Sequence, residues 1–377
     1  MNVNIHLQRY LDKRKICTGT PHKVLSEHKS FKFFFIIPCY DEFNYLFKTL
    51  NSINKQNAIL LKDTLVVIVI NNGINSDSSI KQNNQKTYKK LIKLKYIFEF
   101  VVIDCFSNNT AFEEKFAGVG LARKVGLDFA LGFINDLNSI LCSLDADTII
   151  NKNYLYFINN EFKKNNINAA VINFSHQKSS NTIIEEAVRK YESTLKEIAK
   201  NIEKTGSPYG YVSMGSTITC NAKTYISIGG MNTKKATEDF YFLQSIAKYT
   251  KVHKINRVLV YPSSRSENRV YLGTGFRMDE YLKNKSFKNL YFSKESYLEI
   301  KIILDIINLH WNDTIDLILE RLRNNLNKKS MEFLISKNLG NVLEKFKTNA
   351  KSKKQFILLF NQWFDALTIM KFLKVQN

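Results

Sequence analysis

Four runs of unbroken hydrophobicity, separated by stretches with helical spacing, organise the first half of the chain. FKFFFIIP (31–38) reads as a fully buried strand stopped by Pro38. After it, Phe43, Leu46, Phe47, Leu50 and Ile53 recur at the three- and four-residue intervals of one helix face. TLVVIVINNG (64–73) is a second buried strand ending in a turn signal, and the polar INSDSSIKQNNQKTYKK (74–90) is a loop leading into a helix. YIFEFVVID (96–104) is a third strand, Gly118 to Leu131 a helix opened by glycines, and ILCSLDAD (140–147) a fourth strand. Strands apolar on both faces, alternating with helices, predict a mostly parallel α/β sheet covered by helices.

The alternation continues. AAVINFSH (169–176) is a strand, and Thr182 to Glu203 a charged amphipathic helix. MGSTITCNAKTYISIGGMN (214–232) reads as strand, helix and Gly-Gly turn. TEDFYFLQSIAKY (237–249) is a helix, and residues 252–275 are extended chain ending in a basic, glycine-containing loop. From about Met278 the pattern is helical. The expected organisation is therefore a basic arm at 1–30, an α/β domain at 31–277 and a helical extension at 278–377.

Ligands of such sheets gather at the carboxyl ends of the strands. Three segments lie there: Pro38–Glu42, Asn71–Gly73 and Asp145–Asp147. Two carboxylates two residues apart on an extended strand share a face. Asp145 and Asp147, set where strand meets loop, can hold a divalent cation through hard oxygen donors. Glu238 and Asp239 open a helix with Thr237 as the expected N-cap, where free backbone N–H groups favour ionised carboxylates.

Composition narrows the classes. At 44% hydrophobic and 12% aromatic, the chain is too apolar to be disordered. Its net charge of +21 favours phosphate-bearing or polyanionic partners, although Lys, Asn, Ile, Phe and Tyr are abundant together, as compositional bias would also give. Cys39, Cys105, Cys142 and Cys220 stand singly among apolar or small residues, the pattern of reduced, buried thiols. No apolar run is long enough to span a bilayer, and the amino terminus has no signal-peptide core. These features predict a cytoplasmic protein, free or held at the inner membrane face by lysines in its first 30 and last 100 residues.

The order of segments resembles the family 2 glycosyltransferases of the GT-A fold. The matching elements are IIPCYDE, VINNGINSDSS, GVGLARKVGLDFA, LDAD, IGGMN and TEDFYFL, spread over about residues 31–275. The resemblance implies transfer of a sugar from a nucleotide-diphosphate sugar to an acceptor hydroxyl, with inversion, in cell-surface polysaccharide or glycoconjugate synthesis. It implies Mg²⁺ or Mn²⁺ on Asp147, with Asp145 on the metal or the ribose. It makes Asp239 the general base and Glu238 the residue that orients the acceptor. It places Pro38, Tyr40, Glu42, Asn71, Asn72 and Arg123 on the nucleotide. Gly229, Gly230, Arg265 and Arg269 would form acceptor or diphosphate loops.

The chain departs from the family pattern at two places. Asn71 and Asn72 replace the usual Asp, so the base is undefined. SSRSENRVYLGTG, with Arg265, Arg269, Gly273 and Gly275, stands where processive members carry Gln-x-x-Arg-Trp. The residues themselves leave plainer readings open: Arg123 as an exposed helix cation, Tyr40 and Trp311 as core, and His253 and His310 as structural rather than as a third metal ligand. Two other classes also remain. A nucleotidyltransferase shares such a sheet but carries a glycine-rich basic loop after its first strand, which IIPCYDEFNYL lacks. A basic nucleic-acid or membrane-surface binding protein would need no paired aspartates.

Overall fold

The structure is a computed structural model that describes residues 5–22, 29–266, 273–287 and 290–376. The chain divides into two compact units, Met1–Val188 with Ser213–Asp279 and Arg189–Val212 with Glu280–Asn377.

The first unit is built on a nine-stranded sheet among the described residues. Helix α1 (Ile5–Lys13) and strand β1 (Thr20–His22) precede the central strands β2 (Phe33–Cys39), β3 (Thr64–Asn71) and β4 (Glu99–Cys105). Between these run α2 (Leu46–Asn54), α3 (Ala58–Lys62) and α4 (Ser78–Leu91). Then come α5 (Val119–Ala130), β5 (Ile140–Ser143), β6 (Ile149–Ile150), α6 (Tyr154–Asn165) and β7 (Ala169–Phe174). After α7 (Thr182–Lys204), which belongs to the second unit from Arg189 on, follow β8 (Ile218–Asn221), α8 (Ala222–Ser227), α9 (Glu238–Tyr249), β9 (His253–Tyr261) and α10 (Thr274–Asn284), which belongs to the second unit from Glu280 on.

The strand order is β1-β4-β3-β2-β5-β8-β7-β9-β6. The long ladders β2/β3, β3/β4 and β7/β9 are parallel, as is β2/β5. Every residue of β2 and β3 is buried, which is why both read as uninterrupted apolar runs. Antiparallel ladders of two or three residue pairs join β1 to β4, β5 to β8, β8 to β7 and β6 to β9. The sheet is thus mostly parallel, with β8 inserted against the grain. Cys39, Cys105, Cys142 and Cys220 are buried free thiols, as their surroundings predicted.

Pro38 does not stop β2, which runs on to Cys39. Pairing with β5 ends at Ile36, so on that side no partner strand needs the missing N–H. The amino-terminal stretch, expected as an arm, carries α1 and β1. Tyr10 of α1 is buried and donates to Asp128 of α5 at 2.7 Å, and Ile16 N donates to the same carboxylate at 2.9 Å.

The helical unit contains α11 (Lys294–Leu309), α12 (Ile315–Asn325), α13 (Lys328–Ser336), α14 (Leu339–Asn349), α15 (Lys353–Trp363) and α16 (Ala366–Gln376). Ser293, Thr314, Asn327 and Ser352 accept from backbone N–H groups of the first turns of α11, α12, α13 and α15, supplying partners those turns otherwise lack. Ile300, Ile307, Leu334, Phe356, Phe360 and Phe372 fill its core. Among the described residues no single helix is long and apolar enough to cross a membrane.

Candidate functional site

The parallel strands β2, β3 and β5 end on one edge and deliver the three expected segments there. Asp41 turns in the left-handed region, at φ 59°. Its N–H donates to Asn84 Oδ1 at 3.1 Å. Asn84 Nδ2 in turn donates to Asn71 O at 3.1 Å and Asn72 Oδ1 at 2.9 Å. One buried amide of α4 therefore sews the β2 and β3 ends together. Nothing local marks Asn84 among its polar neighbours, and sequence reasoning missed it. Asn72 Nδ2 bonds to Gly73 O and Phe106 O, so that side chain holds the turn. Asn71, only 4% exposed, keeps a buried Oδ1 with no hydrogen-bond partner among the described residues. A buried acceptor in that state favours a ligand donor.

The Asp-x-Asp carboxylates do not lie on a strand. β5 ends at Ser143, Leu144 N still reaches Ile36 O at 3.0 Å, and the chain then turns, with Thr148 N donating to Asp145 O at 3.1 Å. The two side chains consequently take different partners. Asp145 pairs with Arg123 and accepts from Ser216 Oγ. Asp147 pairs with Arg265 at 2.9 Å.

Arg123 is 3% exposed, which excludes the solvated helix cation. Its two terminal nitrogens engage Asp145 and Glu238, residues 22 and 115 positions away in sequence. Burial opposes its charge, but Asp145 and Glu238 more than compensate and raise its pKa. With both ends occupied, Arg123 ties the Asp145 turn to the start of α9. The glycines of this helix start do not open the backbone to a ligand. A Cβ on Gly118 would lie 2.6 Å from Lys235 Cα, and one on Gly120 would run into Lys234 O and, at 3.0 Å, Glu238 Cβ. They admit the 232–238 loop against α5. A Cβ on Gly215 would fall inside the Arg123 guanidinium. Gly215→Ala should therefore displace Arg123 and cost about 1–3 kcal/mol by overpacking, read as a lower unfolding midpoint in denaturant. A midpoint equal to wild type would refute that close approach.

Glu238 is buried, and burial, helped by Asp239, pushes its carboxyl up to about 7 against the pull of Arg123. Asp239 beside it is also raised, by burial and by Asp145, again opposed by Arg123. Thr237 does occupy the cap position, but at φ 62°, with its hydroxyl on Ala236 O, and makes no side-chain cap bond. The acid start of α9 is thus held by Arg123 and by Asn232, which donates to Glu238 O at 2.9 Å.

Arg265 stands between Asp147 and Glu42, 2.5 Å from the latter, and stacks 4.1 Å from the Tyr45 ring centroid. Gln177 Nε2 donates to Asp147 O and Tyr261 O, tying this turn to the end of β9. Gln177 and Ser216 were not anticipated, because each is recognisable only through its distant partner. Arg269 lies outside the described residues. Tyr40 is half-buried beyond Pro38. Gly229 and Gly230, at φ 83° and 81°, form the turn after α8 and pack on Arg14 and Tyr10. His253 opens β9, the strand whose other end leads to Arg265, and His310 in the helical unit bonds Asp313. Trp311 lies 6.4 Å from Phe356 in that unit.

Among the described residues no group of three or more His, Cys, Asp or Glu side chains could hold a metal. The donor chemistry still fits a hard divalent ion shared with a substrate, since Mg²⁺ commonly takes one or two protein carboxylates and completes its shell with phosphates and water. Asp147 and Asp145 are such a pair.

No protein-family model matches the chain, and no curated protein does. Among solved structures it is similar to S. aureus TarS 1-349 in complex with UDP, at 16% identity and a TM-score of 0.43, covering 88% of this chain and 90% of that one. It is also similar to the mannosyltransferase PcManGT from Pyrobaculum calidifontis in complex with GDP-Man and Mn²⁺, at 12% identity and a TM-score of 0.43, covering 94% and 91%. At those identities and TM-scores the likeness decides neither substrate nor mechanism for this chain.

Proposed function

We propose that the protein is a GT-A-type glycosyltransferase that moves a sugar from a nucleotide-diphosphate sugar to an acceptor hydroxyl with inversion. The observation that carries this reading is the Arg123 bridge. It joins the Asp145–Asp147 turn, suited to a diphosphate, to the Glu238–Asp239 helix start, suited to a proton acceptor, at the carboxyl ends of parallel strands.

Asp239 takes the proton of the acceptor hydroxyl. The oxygen attacks the anomeric carbon on the face opposite the diphosphate. The new C–O bond forms as the sugar–phosphate bond breaks, and its electron pair leaves with the diphosphate. A divalent ion held by Asp147, with Asp145 beside it, would neutralise charge on that leaving group when bound. Arg265 adds a fixed cation next to it, and a guanidinium suits phosphate oxygens. Glu238, gripped by Arg123, orients the acid helix start toward the acceptor. Asn71 Oδ1 accepts from the nucleotide base, while Asn84 and Asn72 hold its loop. Pro38, Tyr40 and Glu42 border the nucleotide. The acceptor is a sugar or a lipid-linked sugar, the product serves a cell-surface polysaccharide or glycoconjugate, and the enzyme works on the cytoplasmic side.

A calorimetric and hydrolysis screen of nucleotide sugars with Mn²⁺ tests the reading. At least one donor should bind and be slowly hydrolysed. Asp147→Ala and chelation of wild type should each abolish the metal-dependent part of binding. No binding of any donor, with the chain folded, would remove the proposal; equal affinity with and without metal would remove the ion from it.

A further inference from the structure

Between Asp77 and Glu99 the chain carries six lysines and no carboxylate. Lys86, Lys89, Lys90 and Lys93 recur at three and four residues, so along α4 and its continuation they form one stripe. All four are exposed, while Asn84, Thr87 and Leu91 on the opposite side are buried. Aromatic rings hold two of these cations in place. Lys86 Nζ lies 4.1 Å from the Phe43 ring centroid and Lys90 Nζ 3.9 Å from that of Phe47. Ile92 precedes Lys93 in sequence and Ile97 follows Lys95 by two residues; they are 55% and 52% exposed. The flanking acids are Asp77, which precedes the helix, Asp41, which accepts from Asn83, and Glu99, which pairs with Lys29 at 2.6 Å.

We propose that this face of α4 docks on an anionic lipid bilayer. Lysines concentrated on one side attract an anionic leaflet, and each contributes independently of sequence context. Ile92, exposed immediately before Lys93 at the end of α4, favours a lipid surface over a soluble polyanion, because apolar side chains gain from entering the headgroup boundary. Phe43, Phe47 and α4 adjoin the β2 and β3 ends that carry Glu42 and Asn71, so docking would set the candidate site close to the membrane surface. The binding itself does not depend on the proposed chemistry.

The test is sedimentation of the full chain with vesicles of phosphatidylcholine alone or with about one third phosphatidylglycerol. Wild type should bind the anionic vesicles at low salt, ignore the neutral ones, and be released as salt shortens the screening length. The variant K86Q/K89Q/K90Q/K93Q should lose at least about tenfold in partitioning. The control K345Q/K351Q/K353Q/K354Q removes the same charge from exposed lysines of the helical unit and should change it less than about twofold. Thermal melts of both variants verify folding. Equal losses in the two variants would reduce the effect to bulk charge and overturn the proposal. So would absence of vesicle binding, or binding to soluble polyphosphate with none to vesicles.

Discussion

Asp239→Asn is expected to abolish sugar transfer while leaving nucleotide-sugar affinity within a few fold. An amide cannot take the acceptor proton, and removing a general base typically costs ~10²–10⁴ in rate. The same residue predicts a pH profile. A base works only when ionised, and burial together with Asp145 raises the Asp239 pKa, while its partner Glu238 is pushed up to about 7. The upward shift moves ionisation of Asp239 above the ordinary carboxylate range near ~4. Transfer should therefore still climb with pH where an unperturbed carboxylate would already have saturated. Near wild-type turnover in the Asn variant with the true acceptor, or a profile that saturates like that of an unperturbed carboxylate near ~4, would take Asp239 out of the mechanism.

Arg123→Met should be the most damaging single change to stability. Removing one partner of a buried ion pair costs about 3–5 kcal/mol, because the remaining charges stay buried and uncompensated. Here Glu238, with its side chain 5% exposed, would be left buried without its cation, while Asp145, with its side chain 36% exposed, would be partly screened by water. Activity should fall as well, since the acid start of α9 would no longer be tied to the Asp145 turn. Arg123→Lys should rescue little of either effect, because a point-like ammonium cannot bridge two carboxylates as a planar fork does. Adding Glu238→Gln to Arg123→Met should restore part of the stability but not the transfer. Denaturant unfolding and donor hydrolysis measured on the three variants decide this. A loss under about 1 kcal/mol for Arg123→Met would contradict the buried bridge.

Much of the fold was legible in the chain. The runs read at 31–38, 64–73 and 96–104 became the central parallel strands Phe33–Cys39, Thr64–Asn71 and Glu99–Cys105. They did so because a strand covered on both faces must be apolar throughout, and that demand is written in consecutive residues. The strand ends Pro38–Glu42 and Asn71–Gly73 and the helix start Glu238–Asp239 were found on the same grounds, by their place after a run or before a periodic stretch. Burial of the four cysteines followed from their immediate neighbours.

What the sequence could not determine was which of these segments meet, and in what state. Arg123 looked equally like a surface cation and a ligand contact, and only its stacking under Gly215, between Asp145 and Glu238, made it a buried brace. The glycines at 118 and 120 were legible as a helix start, but that the 232–238 loop packs into the room they leave was not. Asp145 and Asp147 had the spacing of a shared strand face, yet a turn sends one to Arg123 and the other to Arg265. Asn84, Gln177 and Ser216 carried no local signal at all. Periodicity is a property of neighbours along the chain and fixes secondary structure and burial. Charge pairing and loop contact join residues tens to more than a hundred positions apart, and these are decided only when the elements pack.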